Sequence, residues 1–123
     1  MSKVALVVDD SSTVRKIVGR TLLQAGFQVV EAGNGQEALE ALARCAVTVI
    51  VTDYNMPVMD GLEFARGVRE TVKDRGTPMI FLTTESESSK REEATAAGAN
   101  AWLTKPFRGE ELISVINRVV PAP

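Results

Sequence analysis

Five short apolar runs punctuate the chain, and a stretch with apolar residues at helical intervals follows each. The runs are Val4 to Val8, Phe27 to Val30, Val47 to Val51, Met79 to Leu82 and Ala101 to Leu103. Four of them lack polar alternation, the pattern of strands covered on both faces of a parallel sheet. Gln28 interrupts the second run, which places that strand at an edge. Between the runs, Val14, Ile17, Val18 and Leu22 repeat with the period of a helix, as do Leu39 and Leu42, then Leu62, Ala65, Val68 and Val72, and finally Leu112, Val115, Ile116 and Val119. Asn34 with Glu37, and Ser89 with Glu92, have the spacing of capping boxes, while Gly26, Gly76 and Gly98 fall where helices should stop. The alternation predicts an α/β fold, a doubly wound parallel sheet of five strands with five helices on its two faces and right-handed crossovers. The fourth helical stretch, Ser88 to Ala97, offers only alanines to a core, so its burial stabilises it weakly and it is a candidate for motion.

Composition narrows the function. A chain of 123 residues, 45% apolar and 24% charged, builds one domain, expected to span residues 1–123 with no output domain, since only Pro121, Ala122 and Pro123 follow Val120. The formal net charge of −2 gives no basic surface for a phosphate backbone, which argues against nucleic-acid binding. The opening apolar run is too short for a signal peptide or a membrane span. A lone Cys45 excludes a disulfide framework within the chain and fits a reducing, cytoplasmic setting. Histidine is absent altogether, which removes histidine-based hydrolase triads, most catalytic zinc sites and any role as a histidine phosphocarrier.

What remains is carboxylate, hydroxyl and lysine chemistry, and it sits at the strand ends. The first strand runs into Asp9 and Asp10, the third into Asp53, the fourth into Thr83 and Thr84, and the fifth into Thr104, Lys105 and Pro106. In a doubly wound sheet, ligands gather outside these carboxyl ends. Turn and cap preferences account for any one of these residues alone, but not for complementary polar groups at four strand ends together. Packed carboxylates repel and call for a cation, and oxygen ligands without histidine or cysteine indicate a hard ion such as Mg²⁺. Such a site suits phosphoryl transfer, with a carboxylate as nucleophile, Lys105 as a point charge and Thr83 as a hydrogen-bond donor to phosphoryl oxygens. No Walker A run occurs, so a nucleotide donor is not expected.

Val7-Val8-Asp9-Asp10-Ser11, the stretch from Asp53 through Asn55, Met56, Pro57 and Asp60 to Gly61, Thr83-Thr84-Glu85 and Lys105-Pro106-Phe107, in this order and spacing, closely resemble the receiver domain of two-component response regulators. The resemblance covers essentially the whole chain and is strongest to the stand-alone chemotaxis regulators. It implies a flavodoxin-like sheet of strand order 2-1-3-4-5. It also implies that Asp53 is the phosphoacceptor, that Asp10 and Asp53 ligate Mg²⁺ directly, that Asp9 acts through a water, and that the backbone carbonyl of Asn55 completes the protein ligands. Thr83 and Lys105 would bind the phosphoryl group, and the Lys105-Pro106 peptide would be cis. Thr83 and Trp102, at a position where tyrosine is commoner, would form the conformational switch. Asn55 and Glu85 would tune dephosphorylation. Asp60 and Asp74 are expected only to cap or decorate the third helix. The implied partners are a histidine kinase or phosphotransfer protein as donor and a downstream protein bound on the face of helix four, strand five and helix five, where Lys90, Arg91, Trp102, Phe107 and Arg108 fall. The chain itself would be a cytoplasmic monomer and not an enzyme.

Two other readings share the chemistry. A receiver can serve as a phosphate sink or relay shuttle without an effector target. Mg²⁺-dependent phosphohydrolases of the haloacid-dehalogenase type also form an aspartyl phosphate, but they place a second aspartate two residues after the nucleophile, where this chain has Asn55.

Overall fold

The computed structural model describes residues 3–54, 56, 59–71, 77–84 and 91–120. Strands and helices alternate: β1 (Lys3–Val8), α1 (Ser12–Gln24), β2 (Phe27–Ala32), α2 (Gly35–Arg44), β3 (Val49–Asp53), α3 (Gly61–Thr71), β4 (Met79–Thr83), α4 (Arg91–Ala97), β5 (Ala101–Thr104) and α5 (Gly109–Val119). The strands form one sheet in the order β2-β1-β3-β4-β5, and every neighbouring pair is parallel. This is the topology that the resemblance implied. Gln28 lies on β2, an edge strand, as its polar interruption predicts.

Alternate side chains of each strand point to opposite faces, so one sheet feeds two cores. Leu6, Val8, Ile50 and Phe81 meet Phe64, Ala65 and Val68 of α3 and Ala38 of α2 on one face. Ala5, Val7, Val49 and Val51 meet Val18 and Leu22 of α1 and Leu112, Val115 and Ile116 of α5 on the other. All residues of β3 and β4 are buried, which explains their unbroken apolar runs. Phe64 and Phe81 are completely enclosed, each stabilising the fold by about 1.5–3 kcal/mol relative to exposure.

Three expectations shift. Ile17 is 60% exposed, because it lies on the shoulder of the stripe that Val18 and Leu22 bury. β3 begins at Val49 rather than Val47, although Thr48 just before it is already tied to β1: the Val4 amide donates to its hydroxyl, and its own amide donates to the Val4 carbonyl. β5 is only half-buried, as the second edge strand, despite its apolar run. Gly26 and Gly98 adopt positive φ of 96° and 120° just past α1 and α4, the left-handed conformation that ends helices. Asn34 accepts from the Glu37 amide as the predicted cap of α2. Val72, Asp74, Gly76 and Ser89 lie outside the described residues. In α4, Ala97 is buried while Thr95 and Ala96 face solvent, in keeping with a helix held by small apolar contacts. No helix among the described residues is long and apolar enough to cross a membrane.

Candidate functional site

Chain order reverses between β1 and β3: the connection from β1 leads to β2 on one side, and β3 lies on the other. A crevice therefore opens at the carboxyl ends of these two strands, flanked by β4 and β5. Asp53 is the last residue of β3, and Asp9 and Asp10 follow β1 directly. One carboxylate oxygen from each of Asp9, Asp10 and Asp53 lies within 4.8 Å of the others. Asp9 and Asp53 are buried, whereas Asp10 is exposed. Lys105, one residue beyond β5, donates from Nζ to Asp53 Oδ1 at 3.2 Å and stands 3.7 Å from Asp9 Oδ2. Its backbone amide donates to the Thr83 carbonyl at 2.7 Å, which ties the lysine to the end of β4. The Lys105-Pro106 peptide is cis.

Two polar atoms at this rim lack hydrogen-bond partners among the described residues. Thr83 Oγ1 and Asp9 Oδ2 are both buried and unsatisfied. An orphaned buried polar group costs about 1–3 kcal/mol, so their persistence is consistent with a site built for a ligand. Burial raises the Asp9 carboxyl above its usual value of 3.8, and the neighbouring Asp10 adds to the rise. The Ser11 amide, donating to Asp9 Oδ1 at 2.9 Å, and the Lys105 ammonium oppose it. Three carboxylates face one ammonium, and all the clustered donors are hard oxygens, a set that fits Mg²⁺.

Asp9, Asp10, Asp53, Thr83 and Lys105 thus converge as the strand ends predict. Trp102 does not join the carboxylates. It stands on β5 opposite Phe81, packs against the core beneath α3, and borders an open hollow of about 440 Å³ with Glu92, Thr95 and Ala96 of α4. Phe107 packs against the α1 and α5 core, while Arg108 is exposed beside a hollow of about 690 Å³ along α5. Asn55, Glu85 and Lys90 lie outside the described residues, as does the side chain of Arg91. Asp60 caps α3, accepting from the Glu63 amide at 2.9 Å.

Sequence reasoning passed over Arg15 and Ser11. Ser11 caps α1 through the Val14 amide, a role its place before the apolar stripe signals. Arg15 Nη1 donates to the Asp9 carbonyl at 2.6 Å and Nε to Glu31 Oε1 at 3.0 Å. No local pattern announces this contact, because Glu31 lies sixteen residues away on β2.

A buried carboxylate ends the central strand with a lysine and two further carboxylates around it, and an unsatisfied hydroxyl ends the next strand, in the crevice of a doubly wound sheet. The family profile of the response regulator receiver domain matches residues 5–117, and the chain belongs to that family. The chemotaxis protein CheY1 of Helicobacter pylori is 42% identical over 109 residues, covering 87% of this chain and 88% of its own. The crystal structure of the chemotaxis response regulator CheY4 of Vibrio cholerae superposes with a TM-score of 0.91 at 42% identity, covering 98% of this chain and all of that one. The receiver domain of the sensor histidine kinase PA1611 of Pseudomonas aeruginosa, solved with a magnesium ion coordinated in its active-site cleft, superposes with a TM-score of 0.86 at 28% identity over 97% of this chain and 98% of its own.

Proposed function

We propose that this chain is the phosphorylation switch of a chemotaxis-type two-component pathway, a cytoplasmic monomer that catalyses only the gain and loss of its own mark. A carboxylate oxygen of Asp53 attacks the phosphorus of a phosphohistidine on a kinase or phosphotransfer protein. The O–P bond forms as the P–N bond breaks, and the electron pair returns to the donor imidazole, which takes up a proton. Water later attacks the same phosphorus, releasing inorganic phosphate and regenerating the carboxylate. Asp9, Asp10 and Asp53, with the Asn55 carbonyl, would hold Mg²⁺, which when bound supplies positive charge against the phosphoryl oxygens.

The chain's own residues do the rest. Lys105 gives up its contact with Asp53 Oδ1 and pairs with a phosphoryl oxygen as a point charge. Thr83 donates its unsatisfied hydroxyl to another oxygen, a bond it lacks without the mark. That new bond draws on the end of β4, which adjoins the β5 strand carrying Trp102. The mark need only favour one of two arrangements of this edge to change binding of a downstream protein. Asn55 and Glu85 flank the phosphoacceptor and the threonine in sequence and are assigned to orient the hydrolytic water.

One observation carries this reading: Asp53 ends the central strand buried, with Lys105 at 3.2 Å and the orphaned Thr83 hydroxyl at the next strand's end. Incubation with acetyl phosphate and Mg²⁺ should add one phosphoryl group to the intact mass, and Asp53→Asn should add none. Phosphoryl addition surviving that substitution refutes the assignment. Pull-down with beryllofluoride as the phosphoryl mimic then separates an effector from a sink: enhanced capture of a non-kinase protein supports the proposed switch, and capture of kinases or phosphotransfer proteins alone contradicts it.

A further inference from the structure

We propose that Arg15 is a positioning residue for the metal-binding carboxylates, fixing the turn after β1 by tying the Asp9 carbonyl to Glu31 on β2. The inference rests on the Mg²⁺ site proposed above. Arg15 lies on the first turns of α1 and is outside the carboxylate cluster. Its guanidinium donates through Nη1 to the Asp9 carbonyl at 2.6 Å and through Nε to Glu31 Oε1 at 3.0 Å. A Cβ on Gly33 would come within 3.6 Å of the same Nη1, so the guanidinium also lies against the turn between β2 and α2.

The Asp9 residue is consequently held at three points. Its amide donates to the Ala32 carbonyl at 3.2 Å, its carbonyl accepts from Arg15, and its Oδ1 accepts from the Ser11 amide. In two of these bonds the partner is a backbone group, the Ala32 carbonyl and the Ser11 amide. The third comes from a side chain, is charge-assisted, and sets the direction of the peptide that leads from Asp9 into Asp10. An exposed Arg–Glu pair alone would contribute little. Here the ion pair serves to orient the fork, and the short bond is to the backbone of a residue that is only 1% exposed.

Coulomb repulsion and positioning predict opposite signs. A guanidinium beside a dication site repels the ion, so removing its charge should tighten Mg²⁺ binding if charge were its whole effect. If Arg15 holds the ligands in place, removal should weaken binding, as loss of an outer partner does at metal centres generally.

The test measures Mg²⁺ affinity by competition with Mn²⁺, reading free Mn²⁺ by electron paramagnetic resonance, alongside thermal unfolding of the metal-free proteins. Arg15→Met should weaken Mg²⁺ binding about tenfold while still unfolding cooperatively. Arg15→Lys should recover part of that loss, and Glu31→Ala should give a smaller loss in the same direction. Lys16→Met, which removes an exposed positive charge from the adjacent position, should leave affinity unchanged or slightly raised. Should Arg15→Met lose its cooperative transition, Glu31→Ala decides the matter by the same readout. Wild-type affinity in both Arg15→Met and Glu31→Ala, or tighter binding in Arg15→Met, overturns the positioning role while leaving the metal site intact. Failure of the wild-type protein to bind either ion overturns the metal site and this inference with it.

Discussion

Replacing Asp9 by asparagine should stabilise the metal-free protein at neutral pH while disabling its site. The Asp9 carboxylate is 1% exposed, and its Oδ2 lacks a hydrogen-bond partner among the described residues. Lys105 stands 3.7 Å away but donates its hydrogen bond to Asp53, so Asp9 is only partly compensated. Burial accordingly holds its carboxyl above the usual 3.8. Between that value and the raised one, the folded state binds more protons than the unfolded, so the Asp9 contribution to stability improves as pH falls and worsens as pH rises. At pH 7 the full cost of the buried charge is present. Asparagine has nearly the same shape, keeps an acceptor for the Ser11 amide and carries no charge. The amide nitrogen takes the place of the unpartnered Oδ2, so the cost relieved is that of the partly compensated buried charge alone, about 1 kcal/mol, or about 4 °C in melting temperature for a domain of this size. Thermal unfolding of wild type and Asp9→Asn, with chelator, at pH 7 and again near pH 4, measures it. The variant should melt higher at pH 7, and its advantage should shrink at the lower pH as wild-type Asp9 takes up a proton. A variant that melts lower at pH 7, or an advantage that grows on acidification, would refute the claim that this carboxylate is strained.

Three further outcomes follow from the same geometry. Lys105→Met leaves Asp9 and Asp53 without their shared ammonium and should cost about 1–2 kcal/mol at pH 7, less than a fully buried pair because the lysine is partly exposed; the deficit, read by urea unfolding, should narrow on acidification. Thr83→Val removes the orphaned hydroxyl and should leave stability unchanged or raise it by up to about 1 kcal/mol, while beryllofluoride shifts the emission of Trp102, the sole tryptophan, less than in wild type. Gly98→Ala places a Cβ at φ 120° and within 2.8 Å of Arg69 Nε, next to the bond from Arg69 to the Gly98 carbonyl, and should lower the urea midpoint by an amount equivalent to about 2 kcal/mol.

Much of the fold is written locally. The interior strands β1, β3 and β4 need apolar residues on both faces, and the glycines at positions 26 and 98 end helices for a conformational reason that any sequence shows. The candidate site was legible for the same reason: a parallel sheet aligns all its carboxyl ends, so Asp9, Asp53, Thr83 and Lys105 need only follow their strands to meet. What resisted reading depends on neighbours distant in sequence. Ile17 has helical spacing yet stands outside the stripe, because only the placement of α1 on the sheet decides which shoulder is covered. The apolar run of β5 does not reveal that no strand lies beyond it. Arg15 looks like any charged helix residue until β2 brings Glu31 beside it.

On the proposed mechanism, Asp53 alone among the clustered carboxylates takes the phosphoryl group. Borohydride reduces an aspartyl phosphate to homoserine, so treating the protein after acetyl phosphate and Mg²⁺, then sequencing its peptides by mass spectrometry, identifies the acceptor. Homoserine at position 53 and nowhere else is the expected result. Homoserine at position 9, 10 or 60, or unmodified aspartate at 53 in protein shown to carry phosphate, would contradict it.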